Sequence, residues 1–237
     1  MVDTVTTPTK TAAALIKNLG LKKEVIPISC GIDLKRFNLK HNGEHLKKRY
    51  KIPNNKLIML FVGRLEKEKR IDVVIDAFFQ ILKSVDAHLV LAGIGKLQNK
   101  LEAQAEKLGI RKNVTFTEFV PDADLQDLYH TADLFVIAGI AELQSLVTME
   151  AMASGLPVVA VDAMALPELV HDSENGYLFP DGDSKILAER ATKILLDKKL
   201  RDNMSQKSLE IIHAHDADKI ADRYEAIYKE TIAKHFF

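Results

Sequence analysis

The chain has 237 residues, with 33 Lys and Arg against 33 Asp and Glu and a formal net charge of 0. At 47% hydrophobic and 28% charged it has the composition of a protein that buries a sizeable core as one large domain or two small ones, which excludes disorder over most of its length. No apolar run approaches the ~18–20 residues of a membrane span, and the balanced charge removes the electrostatic case for nonspecific nucleic-acid binding. The lone Cys30 excludes an internal disulfide and a cysteine-rich zinc site. Met1-Val2-Asp3-Thr4 has neither the basic nor the apolar segment of a secretion signal, so a cytoplasmic chain with a small-molecule partner is expected.

At the front, Val2–Thr7 and Val25–Ile28 flank a helical pattern near Lys10–Leu19, a βαβ unit too small to stand alone. Asp33–Lys56 follows, rich in Lys, Asn and His, with Pro53-Asn54-Asn55 as a turn. Leu57–Val62 then ends in Gly63, and Ile71, Val74, Ile75, Phe78, Phe79 and Leu82 recur at helical spacing. Further strands are expected at His88–Ala92, Val114–Phe116, Leu134–Ile137, Pro157–Val161 and Gly176–Phe179, with helices near Lys96–Leu108, Asp122–Thr131, Leu146–Ala153 and Asp183–Leu196. A last helix carries the stripe Ile220, Tyr224, Ile227, Tyr228 and Ile232 and ends at Phe236-Phe237. Strands apolar at nearly every position, separated by amphipathic helices, predict an α/β fold: a Rossmann-like, doubly wound parallel sheet of about six strands.

In such sheets ligands bind where strand carboxyl ends meet helix N-termini. After the first main strand comes Gly63-Arg64-Leu65-Glu66-Lys67-Glu68-Lys69-Arg70, whose cations suit a phosphate or form a solvated charge cluster. After the second comes Gly93-Ile94-Gly95-Lys96, where Gln98 stands in place of the third glycine of a dinucleotide fingerprint, so a tight turn is the better account. After the fourth, Glu142 and Glu150 frame a helix start. Ionised carboxylates there suit sugar hydroxyls, and equally suit the helix dipole or a nearby cation.

Gly63-Arg64-Leu65 with Lys69, Glu142 and Glu150 separated by seven residues, Glu150-Ala151-Met152-Ala153-Ser154-Gly155-Leu156-Pro157, and Leu166-Pro167-Glu168-Leu169-Val170 together resemble family-4 retaining glycosyltransferases of the GT-B fold. The resemblance implies the C-terminal, donor-binding half of a two-domain enzyme that moves a hexose from a nucleotide sugar, with UDP expected, to an unknown acceptor. It implies that Arg64 and Lys69 neutralise the donor diphosphate, that Glu142 contacts the transferred sugar, and that Glu150 holds the ribose. Arg64, Lys69 and Glu142 are thereby the catalytic candidates. Gly63, Ser145, Leu146 and Val147 would complete the nucleotide-sugar site, with the helix opening near Leu146 aimed at the phosphates, and Phe119 and Val120 would hold the base. Neither a cofactor nor a metal is implied. Residues 1–30 would be a remnant of the acceptor domain and the linker, 31–215 the nucleotide-sugar domain, and 216–237 a helix crossing to the missing domain.

Two departures stand out. Leu143-Gln144-Ser145 replaces the family's frequent Gly-Phe-Gly, and Arg70 stands where many members carry Gly, which would add a cation beside the diphosphate. The acceptor-domain glycine loop and catalytic His have no counterpart, so the chain alone is expected not to transfer sugar, and its apolar ends are expected to self-associate. The full protein could work at the inner face of a membrane. A noncatalytic nucleotide-binding module is the alternative. Asp122/Asp124, Asp181/Asp183 and Asp216/Asp218 are expected to cap helices rather than hold metal, His213 and His215 to lie on the surface, and Cys30 to be partly buried.

Overall fold

The computed structural model describes residues 2–37 and 43–236. A small unit comes first: β1 (Val5–Thr7), α1 (Lys10–Asn18) and β2 (Val25–Pro27), its two strands parallel. Two short helices, α2 (Leu34–Phe37) and α3 (Glu44–Tyr50), lie in the Lys- and Asn-rich segment. The main domain follows as β3 (Leu57–Val62), α4 (Ile71–Ile81), β4 (Ala87–Ala92), α5 (Gln98–Lys107), β5 (Val114–Glu118), α6 (Asp122–His130), β6 (Leu134–Ile137), α7 (Leu146–Ala153), β7 (Val158–Val161), β8 (Gly176–Phe179), α8 (Ser184–Leu196), α9 (Lys198–Ile212) and α10 (Ala217–Phe236). The predicted strands form as expected. Helix α9 was not legible in the sequence, and Phe237 lies outside the described residues.

The six main strands run parallel in the order β5-β4-β3-β6-β7-β8. Every residue of β4, β6 and β7 is buried, because helices cover both faces of the sheet. Order reverses between β3 and β6, so the loops that leave these two neighbouring strands diverge to opposite sides and open a crevice at their carboxyl ends.

Two parallel strands cannot hold themselves together, and the small unit is secured by polar contacts to the main domain. Thr9 caps α1 by accepting from Ala12 N–H, and its hydroxyl donates to Leu143 O at 2.8 Å. The Glu168 carboxylate accepts from Thr11 N–H (2.8 Å), Lys10 N–H (3.0 Å) and the Thr11 hydroxyl (2.7 Å). A negative charge on a helix N-terminus is favourable. Burial pushes the Glu168 carboxyl up, but these hydrogen bonds outweigh it and leave the group below its ordinary value. Helix α10 crosses back over the unit: Ile32 N–H donates to His215 O, Ala217 N–H to Ile32 O, Arg223 to Pro27 O, and Thr4 meets Thr231. Ile220 is buried and Tyr224 and Ile227 half-buried, while Tyr228 and Ile232 remain exposed.

Three local expectations are corrected. Asp183 caps α8 and Asp216 bonds the first turn of α10, but Asp122 and Asp124 cap nothing. Pro121 occupies the cap position of α6, and the two carboxylates pair instead with Arg36 and Arg49, both at 2.7 Å. Cys30 is exposed. His215 is half-buried rather than on the surface, because it packs under the segment that joins the small unit to the main domain.

His88, on β4, gives the core an acid sensitivity. Its Nε2 meets the Thr115 hydroxyl at 2.8 Å, its Nδ1 is buried without a partner, and burial, helped by Lys56, lowers its pKa from 6.5 to about 4. Between those values the unfolded chain takes up a proton that the folded chain refuses. Stability is therefore full above pH 6.5 and falls as pH drops toward 4, by roughly 3 kcal/mol at most. Urea unfolding at about pH 7.5 and about pH 4.5 checks this: the gap should shrink in His88→Gln. A gap of the same size in wild type and variant would refute it.

Candidate functional site

The crevice residues fall into three adjoining groups. The first lines a cleft of about 710 Å³ at the carboxyl ends of β3, β4 and β5. Gly63 and Arg64 form one wall, Gly93–Lys96 the floor, and Phe119 and Val120, with Leu125, the far side. Its volume lies within the ordinary range of small-molecule sites, and Phe119 stands exposed at its mouth. The glycines of the floor answer to close packing of two loops. A Cβ on Gly93 would lie 2.0 Å from Gly63 O, and one on Gly95 would lie 2.3 Å from Leu65 O. This supports the tight-turn reading of Gly93-Ile94-Gly95-Lys96, with the added result that the turn borders the cleft.

The second group sits at the reversal of strand order. A 3-10 turn over Lys67–Lys69 follows β3, and Ile140, just after β6, donates its N–H to Glu68 O at 3.1 Å, joining the two loops across the crevice. There the Lys69 ammonium forms an ion pair with the Glu142 carboxylate, both side chains largely buried. Gly139 makes room for the pair: a Cβ there would approach Glu142 Oε1 to 3.0 Å and Lys69 Cδ to 3.4 Å. Arg64 stays exposed and pairs with Glu68 at 3.1 Å. Arg70 does not add a free cation. It adopts a left-handed backbone (φ 49°), and its guanidinium bonds Asp181 at 2.7 Å and lies 3.8 Å from Asp72.

The third group is on α7. Ser145 is buried at its cap position, but its hydroxyl accepts from Thr148 Oγ1 at 2.8 Å instead of capping the helix. Ser145 therefore leaves the helix start uncapped at Leu146, which is exposed, and Val147, which is half-buried. On the next turn Glu150 accepts a 2.7 Å bond from the Tyr129 hydroxyl. Tyr129 is fully buried on α6 and packs edge-on against Phe37 at 6.1 Å between ring centroids. Burial raises the Glu150 carboxyl above its ordinary value, while the Tyr129 bond and the Arg36 charge oppose the rise. Burial likewise raises the Tyr129 hydroxyl well above its ordinary value, and the Glu150 charge adds to that, so Tyr129 stays a donor.

Nine of the ten sequence-predicted residues thus lie on loops, turns or helix starts at the carboxyl ends of the strands, and Glu150 lies one turn into α7. Gly63, Arg64, Phe119 and Val120 line the cleft; Lys69 and Glu142 form the ion pair; Ser145, Leu146, Val147 and Glu150 lie on α7. Sequence reasoning missed Tyr129 and Gly139. An aromatic in a helical pattern looks like core, and a glycine after a strand looks like a turn.

The family description "Glycosyl transferases group 1" matches residues 42–210. The chain belongs to that family. It is 30% identical over 198 residues to N-acetyl-alpha-D-glucosaminyl L-malate synthase of Bacillus anthracis, covering 83% of this chain and 51% of that protein. It is 33% identical over 183 residues to alpha-monoglucosyldiacylglycerol synthase of Streptococcus pneumoniae, covering 75% and 42%. The chain therefore spans about half the length of the curated relatives it matches. Among solved structures, Anabaena HepE in complex with UDP and glucose superposes with a TM-score of 0.88 at 23% identity, over 97% of this chain and 64% of that one. These structural neighbours establish the GT-B-type fold.

Tyr129→Phe isolates what the hydroxyl does for Glu150. Without that bond the carboxyl should titrate higher still in an NMR titration of the Glu150 carboxyl carbon. An unchanged midpoint in a folded variant would show that the bond has no hold on the ionisation.

Proposed function

We propose that the chain is the nucleotide-sugar-binding part of a retaining glycosyltransferase that moves a hexose from a UDP-sugar to an acceptor. The observation that carries this reading is the Lys69–Glu142 pair at the strand-order reversal, beside a cleft that Arg64 walls. The base fits the cleft between Phe119, Val120 and the Gly93–Lys96 turn, and Glu150 accepts from the ribose hydroxyls. The diphosphate lies between Arg64, Lys69 and the uncapped start of α7, where backbone N–H groups and the helix dipole favour an anion. Glu142 accepts from the hexose. A departing nucleoside diphosphate gains negative charge as the glycosidic bond breaks, so fixed cations favour the transition state over the ground state. Tyr129 and Arg36 oppose the rise that burial imposes on the Glu150 carboxyl and so favour its ionised form, the stronger acceptor for ribose hydroxyls.

Isothermal calorimetry with UDP and UDP-glucose tests the assignment. UDP should bind, less tightly at high salt, and Arg64→Ala should weaken it. Glu150→Ala should weaken both ligands by about 1–3 kcal/mol, whereas Glu142→Ala should spare UDP and weaken UDP-glucose. Equal losses for both ligands in both variants would contradict the roles given to the two glutamates, and no heat with folded protein would overturn the reading.

Transfer itself is the separate expectation. An acceptor hydroxyl held at about 3–3.5 Å from the anomeric carbon supplies roughly 7–11 kcal/mol, and this reading assigns the wall that would hold it to a separate acceptor domain. Residues 1–237 should hydrolyse UDP-glucose slowly and transfer glucose only when an acceptor domain is supplied. Robust transfer by the chain alone, assayed over a panel of acceptors, would show that the acceptor wall lies within it.

A further inference from the structure

Three segments far apart in sequence meet at one hydroxyl. Ser29, buried in the stretch joining β2 to α2, receives Gln144 Nε2 at 2.8 Å and Gly31 N–H at 3.3 Å, and contacts His215 Nδ1 at 2.8 Å. The Gln144 amide cannot be turned round, because its Oε1 accepts from Cys30 N–H at 2.7 Å. Gln144 therefore donates to Ser29. With both lone pairs of the Ser29 oxygen taken, its single proton has one remaining partner, His215 Nδ1. That nitrogen must be an acceptor, so the ring proton sits on Nε2 and the imidazole is neutral.

Gln144 lies two residues after Glu142, in the loop that leads into α7. The same loop is tied to the small unit at Leu143 O by the Thr9 hydroxyl. The joining stretch is held from its other side by the Ile32–His215 and Ala217–Ile32 backbone bonds, and a Cβ on Gly31 would lie 3.2 Å from Ala217 Cα, so the strap fits closely under α10.

The geometry points to Gln144, Ser29 and His215 as a positioning junction: neutral His215 orients the Ser29 hydroxyl, which with Cys30 N–H fixes Gln144 and so holds the loop 141–145 that bears Glu142. Charged groups act on the ring from two neighbouring elements, Glu168 from the turn after β7 and Arg223 from α10, and Asp216 beside it is occupied in capping α10. Burial, with Arg223, outweighs Glu168 and holds the imidazole below its ordinary value, in keeping with the acceptor role. The junction needs no ligand. Only its consequence for the donor rests on the nucleotide-sugar reading.

The test is made on the full chain. Long-range ¹⁵N NMR of the His215 ring should show the Nε2–H tautomer with a titration midpoint below 6.5. In Gln144→Glu the carboxylate draws the Ser29 proton away from His215 and attracts a cation, so the midpoint should rise by at least about one pH unit. In Gln144→Ala, amide exchange over residues 141–145 should accelerate at least about tenfold while the sheet strands are unchanged. UDP-glucose should then bind several-fold more weakly, with UDP within about twofold. An Nδ1–H tautomer, a His215 midpoint unmoved in Gln144→Glu, or unaltered exchange over 141–145 in Gln144→Ala would each overturn the junction. A wild-type chain that binds neither ligand would overturn the nucleotide-sugar reading instead, leaving the tautomer and exchange results to decide the junction.

Discussion

The ion pair between Lys69 and Glu142 occupies the point where the sheet reverses its strand order, and the candidate site is arranged around that crossing. A parallel sheet covered on both faces places all its strand carboxyl ends on one edge. The reversal between β3 and β6 separates the two loops leaving adjacent strands, and the space between them must be filled or bridged. Here the Ile140–Glu68 backbone bond bridges it, Gly139 leaves room, and two oppositely charged side chains take the remaining volume. An unpaired carboxylate buried at this position would carry a large desolvation cost, so the lysine of one loop fixes the glutamate of the other.

What was legible beforehand follows from how each signal is encoded. The main strands are continuous apolar runs between amphipathic helices, and that pattern survives into structure because both sheet faces are buried. Helix α9 lacks such a pattern: its buried positions are Met204, Ser208 and Ile212 amid lysines and polar residues, since it packs against α7 and α8 at the domain's rim. The Asp122/Asp124 pair misled for a related reason. Acidic residues at a helix start fit capping, yet the proline before them took the cap, and arginines from α2 and α3 claimed both carboxylates.

Site residues were legible where chemistry lies in a local run and illegible where it needs two distant segments. Arg64, Lys69, Glu142 and Glu150 follow strand ends in a recognisable order. Tyr129 is 21 positions from the carboxylate it bonds, and Ser29 is 186 from His215, so no local pattern announces either contact. The same applies to Glu168. Its family motif could be read, but its engagement with the N-terminus of α1, 157 positions away, could not.

Arg64, Lys69 and Arg70 already have carboxylate partners, which separates their contributions to anion binding in the proposed site. Arg64 and Glu68 form an exposed pair, and such pairs are worth about 0–1 kcal/mol, so Arg64 can turn to a phosphate at little cost. Lys69 and Glu142 are largely buried, and removing one partner from a pair of that kind costs about 3–5 kcal/mol. A diphosphate bound as proposed would therefore have no reason to break it. The lower-energy arrangement keeps Lys69 on Glu142 and lets its remaining ammonium protons reach the phosphate, which leaves Glu142 oriented with free lone pairs for a sugar hydroxyl. Arg70, bonded to Asp181, contributes shape: it takes the left-handed backbone that ends the turn bearing Lys69 and keeps its guanidinium on a carboxylate of its own. In the proposed site the two cations would thus differ in kind, the exposed Arg64 free to turn to a ligand and the largely buried Lys69 fixed on Glu142 before one arrives.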